Sequence, residues 1–187
     1  MDIAAFRGQD TKAWPGKIAL VVVAGKGPHK MRDVEAELHK SFTTKAVVFE
    51  GDVESQSDLP IVAKKLKLKG KLIRVNTDGS NPGLLKKMVG RRVVDYISVT
   101  IKGPLYEGSE NVRESVRLLQ SSNADHEVVL DWGGDAAEAR EAASQITGTF
   151  VLYSPDMGFE GLRAVAGGLE GPRHVRVRNR GGEQSIT

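Results

Sequence analysis

Five acidic residues stand where predicted strands end, and carboxylates in such positions can do chemistry. They are Glu50, Asp52, Glu54, Asp78 and Asp131. The carboxyl ends of parallel strands meet at one sheet edge or one barrel mouth, so these side chains are expected to converge there with Lys102. A converged group could hold a hard metal ion or act as an acid–base pair. The alternative is ordinary loop carboxylates, since an aspartate before a helix usually caps it.

A glycine- and lysine-rich loop, residues 25–30 (GKGPHK), is a second candidate site. Its glycines allow a ligand to approach the backbone closely, and a helix is predicted to begin directly after it. The loop therefore predicts an anion-binding site made by Gly25, Lys26, Gly27 and Lys30. The alternative is a short turn that binds nothing.

Lys102 ends a predicted buried strand, where a lysine needs either a partner or an open pocket. It could pair with Asp78 or Glu54, or it could grip the carboxylate or phosphate of a ligand. The histidines (His29, His39, His126 and His174) show no metal-binding spacing, and no metal ion is expected.

The elements that must position these groups follow from the apolar pattern. Residues 18–23 (IALVVV) form an apolar run without alternation, which predicts a strand buried on both faces, as in a parallel sheet. About six such strand–helix units follow one another after a lead-in, residues 1–17. Residues 174–178 (HVRVR) form a closing strand whose alternation predicts a half-exposed edge strand.

The fold class is therefore α/β with mostly parallel strands. A complete eight-unit barrel needs roughly 200–250 residues. This chain of 187 residues is shorter, which favours an open, partial TIM-like barrel of six units. A flat doubly wound sheet is the alternative, although neither GxGxxG nor a Walker motif is present. No linker divides the sequence, so residues 1–187 are expected to form a single domain.

Composition excludes several kinds of function. The sequence has no cysteine, which rules out disulfides, thiolate zinc sites, cysteine nucleophiles and thiolate-held iron–sulfur clusters. No apolar run approaches the roughly 18 residues of a membrane span and no secretory segment is visible, so a cytoplasmic protein without membrane contact is expected. A basic stripe near the end could dock a protein partner or simply be solvated: Arg173, Arg176, Arg178 and Arg180. Nucleic acid is not expected, because no aromatic residues alternate with these arginines.

Four stretches resemble one known family. They are residues 13–19 (AWPGKIA), 75–82 (VNTDGSNP), 94–105 (VDYISVTIKGPL) and 175–180 (VRVRNR). Together they resemble the anaerobic ribonucleotide-reductase activating proteins, and the third is also similar to the pyruvate formate-lyase activase-like proteins. These are radical S-adenosylmethionine enzymes, and the resemblance implies a partial barrel of six βα units.

The departures from that family concern its chemistry. The family carries CxxxCxxC after the first strand to hold a [4Fe–4S] cluster, whereas this sequence has GKGPHK there and no cysteine. Of the family's GGEP motif, which receives the cofactor's methionine end, only Gly51 and a shifted Glu54 remain. The aspartate of its Asp-Ile-Lys motif is Thr100, while Lys102 is kept. Cluster-dependent cleavage of S-adenosylmethionine is thus excluded, and binding of that cofactor is doubtful.

The sequence predicts a cluster-less relative of these enzymes with a binding or regulatory role, inactive as a glycyl-radical activase and without a cofactor. A residual nucleoside or anion pocket would comprise Gly51, Glu54, Asn76, Asp78 and Lys102. Two alternatives stay open. One is an enzyme with cluster-independent chemistry at the carboxylate-lined mouth, and the other is a partner subunit that docks through its basic C-terminal edge.

Overall fold

The computed structural model describes residues 1–104 and 109–186, and Leu105 of the resembling stretch lies outside them. The described part contains nine strands: β1 (Ile3–Asp10), β2 (Ala19–Ala24), β3 (Ala46–Gly51), β4 (Leu72–Thr77), β5 (Tyr96–Ile101), β6 (His126–Asp131), β7 (Thr149–Tyr153), β8 (His174–Asn179) and β9 (Gly182–Ser185). It also contains six helices: α1 (Met31–His39), α2 (Leu59–Leu68), α3 (Pro82–Gly90), α4 (Glu110–Gln120), α5 (Ala136–Ser144) and α6 (Phe159–Ala166).

The predicted α/β class is confirmed. Strands and helices alternate from β2 to β8, and the strands follow one another in the sheet in chain order. The sheet is not closed, and β1 and β9 are its first and last strands. The chain divides into two compact units.

The first unit comprises residues 1–77 and 83–97. In it β2, β3 and β4 pair in parallel, with Val21 beside Val48 and Val48 beside Arg74, while β1 runs antiparallel to β2. Helices α1 and α2 connect β2 to β3 and β3 to β4, and by the general rule that such crossovers are right-handed they are expected on the same face of these strands. The largest wholly buried side chains of this unit include Phe49, Leu59, Leu66 and Ile73.

The opposite face of these strands has its own small core. Ala19, Val21, Ala46 and Val48 are fully buried there, and Ala13, Trp14 and Leu72 pack against them. The Trp14 ring also lies 6.1 Å from the ring of Tyr96, measured between centroids. The segment that carries the AWPG motif therefore covers a sheet face, which gives its tryptophan a packing role.

The second unit comprises residues 78–82, 98–104 and 109–186. Its strands β6, β7 and β8 pair in parallel, and β9 runs antiparallel to β8. Ser109 caps α4, because its hydroxyl accepts a hydrogen bond from the Val112 amide. The alanines Ala139, Ala142 and Ala143 are fully buried on α5, where small side chains allow close helix–sheet packing.

Two predictions about the ends of the chain are wrong. Residues 1–17 are not a simple lead-in, because residues 3–10 form β1, and residues 174–178 are not an edge strand, because β9 pairs with β8. Both added strands are antiparallel. β9 (GEQS) contains no apolar side chain. β1 (IAAFRGQD) is apolar over residues 3–6, but this run contains two alanines and a single β-branched residue, so its strand signal is weak.

Two element boundaries are marked by aspartates. The N-cap residue of α2 is Asp58, with Pro60 in the first turn. Strand β5 begins at Tyr96. Asp95 lies just before it, and its carboxylate accepts hydrogen bonds from the Ile73 amide and from Lys67.

Candidate functional site

The predicted pocket residues of the first unit are tied into local structure. Gly51 has a φ of 83°, and a Cβ atom there would lie 2.6 Å from the Ala24 carbonyl oxygen, so packing against β2 requires the glycine. The Glu54 carboxylate accepts a hydrogen bond from the Thr77 hydroxyl. The Asn76 amide oxygen accepts one from Nε of the buried Arg74, at 2.8 Å.

The other acidic residues of the loop after β3 are also engaged locally. Glu50 forms an ion pair with Arg7 of β1 at 2.7 Å, and Asp52 accepts a hydrogen bond from the Ser55 hydroxyl at 2.6 Å. Glu50, Asp52 and Glu54 thus have three different partners within the unit. They do not form a shared carboxylate pair of the kind that acid–base chemistry would need.

The predicted anion loop is bound to β1 by its backbone. The Gly25 amide donates to the Asp2 carbonyl oxygen at 3.1 Å, and the His29 amide donates to the Ile3 carbonyl oxygen at 3.3 Å. A Cβ atom on Gly27 would lie 2.4 Å from the Cα atom of Ala4. Close packing against β1 therefore accounts for this glycine without a ligand.

The lysine at the end of that loop also has partners. The Lys30 ammonium donates to Asp2 at 2.6 Å, and the Lys30 amide donates to the Asp33 carboxylate at 2.7 Å at the start of α1. The hydrogen bond and charge of Lys30 hold the pKa of Asp2 below its usual value. Lys26 is more remote and lowers that pKa through its charge alone.

In the second unit, an open pocket of ≈ 380 Å³ lies at the carboxyl end of β5. It is lined by Asp78, Ser80, Thr100, Ile101, Lys102, Gly103, Pro104, Ser109 and Val112. Two of the predicted site residues, Asp78 and Lys102, therefore line one pocket. Its volume falls within the range of roughly 300–1,000 Å³ that is usual for small-molecule sites.

Hydrogen bonds to α4 hold one wall of this pocket. The Gly79 carbonyl oxygen accepts a bond from the buried Ser115 hydroxyl at 2.7 Å, and the Ser80 carbonyl oxygen accepts one from the Asn111 amide at 3.0 Å. Within the loop, the Asp78 carboxylate accepts the Ser80 amide at 2.8 Å. The loop after β4 is thus preorganised by its contacts rather than by a ligand.

Two features of the pocket favour an anion, although the Asp78 carboxylate also lines it. Lys102 is exposed and has no hydrogen-bond or ion-pair partner among residues 1–104 and 109–186. The N-terminus of α4, which begins beside Ser109, adds a positive partial charge. Glu110 in the first turn is neutralised by Arg113, whose hydrogen bond and charge lower the pKa of that carboxyl.

Sequence reasoning missed three hydroxyl residues of this pocket. Ser80 and Ser109 were visible only as loop and cap residues, and Thr100 only as a substitution in a strand motif. The sequence signal that could have revealed Thr100 is the alternation of side-chain directions along β5. Thr100 and Lys102 are two residues apart, so both leave the strand on the same side at its end.

The basic C-terminal stripe is largely taken up by an internal ion cluster. The fully buried Glu127 accepts hydrogen bonds from Ser98 at 2.8 Å and from Arg178 at 3.0 Å. Glu183 of β9 pairs with both Arg176 and Arg178. Burial alone would lower the pKa of Arg178, but the charges of Glu127 and Glu183 outweigh it and raise that pKa.

The remaining predicted groups lie apart from these sites. Arg180 pairs with Asp156 at 3.3 Å, both of them exposed, and Arg173 is also exposed. Asp131 is the exposed last residue of β6 and is not among the residues lining the β5 pocket. Across the described residues, no three histidine, aspartate or glutamate side chains are grouped so as to hold a metal ion.

The fold and site define an open, mostly parallel α/β protein with a pocket at the end of β5 that is lined by both polar and apolar residues. No protein-family model matches the chain, and comparison with curated proteins finds no match. No helix in the described part combines the length and apolar character needed to cross a bilayer.

Proposed function

We propose that the protein is a binding or regulatory protein whose β5 pocket takes a small anionic ligand of the nucleoside or nucleotide class. We further propose that it descends from radical S-adenosylmethionine enzymes and has lost their cluster chemistry. The observation that carries the ligand proposal is Lys102, an exposed cation without a partner in the described residues, at the rim of a pocket of ≈ 380 Å³.

The lining of the pocket suits the parts of such a ligand. Lys102 and the N-terminus of α4 would bind its anionic group, since both favour negative charge. The hydroxyls of Ser80 and Thr100 offer donors and acceptors for a sugar. Ile101 and Val112 provide an apolar wall against which a flat base could pack.

The proposed ancestry is supported by the arrangement of the chain. Six strand–helix units follow one another in chain order with mostly parallel strands, as a partial TIM-like barrel requires. The stretch that resembles the family's fourth strand forms β5 and ends in the lysine at the pocket rim. Without a cysteine, the chain has no thiolate to hold a [4Fe–4S] cluster.

An enzymatic role at a carboxylate-lined mouth receives less support. Glu50, Asp52 and Glu54 each have a local partner of their own. A general acid or base needs access to its substrate and a perturbed environment that poises its pKa.

Calorimetry with adenosine, ADP, inorganic pyrophosphate and S-adenosylmethionine tests the ligand proposal. At least one phosphorylated compound should bind, and Lys102→Gln should weaken it at least about tenfold, because a charged hydrogen bond contributes about 1.5–3 kcal/mol. Lys17→Gln, which changes another exposed lysine, is the control and should leave affinity unchanged. Failure of all four compounds to bind, or equal binding by both variants, would refute the proposal.

A further inference from the structure

Positive charge is concentrated in one part of the first unit. Residues 59–77 and 83–94 contain ten lysines and arginines and no acidic residue, although the whole chain is nearly balanced with 27 basic and 24 acidic residues. The rest of the chain therefore carries an excess of acidic residues. A local excess of one sign on a balanced protein indicates a surface for an oppositely charged partner.

Helix α2 separates its cations into two groups. Near its end, Lys67 pairs with Asp95 and Lys69 pairs with Glu35, so these two charges stabilise the unit itself. Lys64 and Lys65, one turn earlier, are exposed and have no ion-pair partner in the described part of the chain. The Lys69 hydrogen bond and, to a smaller extent, the charge of Lys65 lower the pKa of Glu35. No described residue holds Lys64 or Lys65 in an ion pair, so both ammonium groups are accessible to another molecule.

Large apolar side chains are unusually exposed on α2 and in the turn after α1. Phe42, in the turn after α1, is 97 % exposed, Leu68 is 79 % exposed and Ile61 is 52 % exposed. Ile61 and Leu68 are seven residues apart on α2, which places them on the same side of the helix, with Lys65 between them. Water-exposed apolar side chains of this size, grouped with spare charges, are typical of interaction sites.

A groove joins this surface to α1. It has a volume of ≈ 350 Å³, and Leu38, Phe42, Lys69 and Lys71 are among its lining residues. The exposed lining of the groove is more apolar than polar. The Lys71 ammonium donates a hydrogen bond to the Thr44 carbonyl oxygen at 2.7 Å. Together, the groove and the exposed residues Phe42, Ile61, Lys64, Lys65 and Leu68 are called the α1–α2 face.

We propose that the α1–α2 face docks an acidic segment of a protein partner that carries an apolar anchor residue. The anchor enters the groove beside Phe42, and the carboxylates of the segment contact Lys64 and Lys65. A concave apolar groove beside a helix is suited to one inserted side chain. A nucleic acid would not provide apolar contacts for Ile61 and Leu68, because its backbone offers phosphates rather than apolar groups.

Selection from a library of random short peptides displayed on phage tests this proposal, with the full chain immobilised. Enriched peptides should be acidic and contain at least one large apolar residue. Synthetic copies should bind the variant Lys64→Glu/Lys65→Glu about tenfold more weakly, because two attractive charges become repulsive. Glutamate and lysine have similar helix propensities, so α2 should fold normally and the melting temperature should be retained.

Two controls make the result decisive. The variant Lys12→Glu/Lys17→Glu reverses two exposed lysines outside the α1–α2 face and should bind the selected peptides as the wild type does. Phe42→Ser should weaken binding without altering the melting temperature, since its side chain is exposed. Peptides without a charge bias, or equal binding by Lys64→Glu/Lys65→Glu, would overturn the proposal. So would an absence of peptide binding, whether or not the protein bound phosphatidylserine vesicles or duplex RNA.

Discussion

Two loops of this protein contain similar residues and differ in what those residues contact. The loop after β2 has glycines and lysines, and β1 binds its backbone while Asp2 and Asp33 bind Lys30. The residues after β5 include Lys102 and Gly103, and there Lys102 lines an open pocket without a described partner. The difference shows that a glycine–lysine pattern identifies a site only when the fold leaves its polar groups available.

The same contrast separates the two basic regions. Arg176 and Arg178 are held by Glu127 and Glu183, which makes the C-terminal stripe part of the internal structure of its unit. Lys64 and Lys65 on α2 have no such partners in the described residues. Mutations of engaged groups should therefore change stability, and mutations of available groups should change binding.

The largest expected effect is on the engaged arginines. Glu127→Ala removes a fully buried carboxylate and leaves Arg178 only partly compensated, so the free energy of unfolding should fall by about 3 kcal/mol. Urea unfolding of the full chain measures this change. Glu114→Ala, at an exposed position of α4, is the control and should stay within about 0.5 kcal/mol of the wild type. Equal losses of unfolding free energy in Glu127→Ala and Glu114→Ala would contradict the claim that charges with internal partners stabilise the structure more than exposed ones.

The next effect concerns the packing of the loop after β2. Gly27→Ala should lower the free energy of unfolding by about 1–3 kcal/mol, because the new methyl group overlaps the backbone at Ile3 and Ala4. Gly8→Ala in β1 is the matched control, since a Cβ atom at Gly8 meets nothing within 4 Å. If Gly27→Ala left the free energy of unfolding unchanged, β1 would not pack closely on the loop. The loop would then again be a candidate ligand site.

Two lysine variants test the difference between the loop after β2 and the residues after β5. Lys102→Gln should leave the free energy of unfolding within about 0.5 kcal/mol of the wild type while weakening the ligand found by calorimetry. Lys30→Gln should leave the affinity for the ligand unchanged and should slightly lower the free energy of unfolding, because Lys30 contacts Asp2. The opposite assignment of the two effects would mean that the loop after β2 is the anion site.

The smallest expected effect is a pH dependence at Asp2. Lys30 lowers the pKa of Asp2 in the folded state below its ordinary 3.8, so the stabilisation is present above that value and disappears as pH falls through the folded pKa. Asp2→Asn should therefore melt slightly below the wild type at pH 5, and the gap should close in more acidic buffer. Melting curves across this range measure it. A gap that widens on acidification would contradict the ion pair with Lys30.

The apolar pattern allowed the central elements to be predicted, and the ends of the chain show its limit. The run at residues 18–23 indicated β2, and the alternation at residues 174–178 indicated β8. Strand β9 (GEQS) could not be found in this way, because it has no apolar side chain. Strand β1 was missed because its apolar run, residues 3–6 (IAAF), is half alanine and gives way to polar residues. The pairing of β9 with β8 is local, since Arg178 contacts Glu183 across a tight hairpin, whereas β1 pairs with β2 over a longer connection.

The missed β1 strand also explains why the site was only partly predicted. Without β1, nothing in the sequence indicated that the amides of Gly25 and His29 are occupied. Asp78 and Lys102 were identified because both follow predicted strands, and they do line one pocket. The hydroxyl of Thr100 was not identified, since threonine in a strand is ordinary and only the pocket distinguishes it.

The most direct test of the β5 pocket is an NMR titration of the ¹⁵N-labelled protein with the ligand that calorimetry identifies. The largest chemical-shift changes should fall on the backbone amides of Ser80, Thr100, Ile101 and Lys102, and they should disappear in Lys102→Gln. Changes confined to Gly25, Lys26, Gly27 and Lys30, or the absence of any saturable change, would contradict the assignment of the pocket.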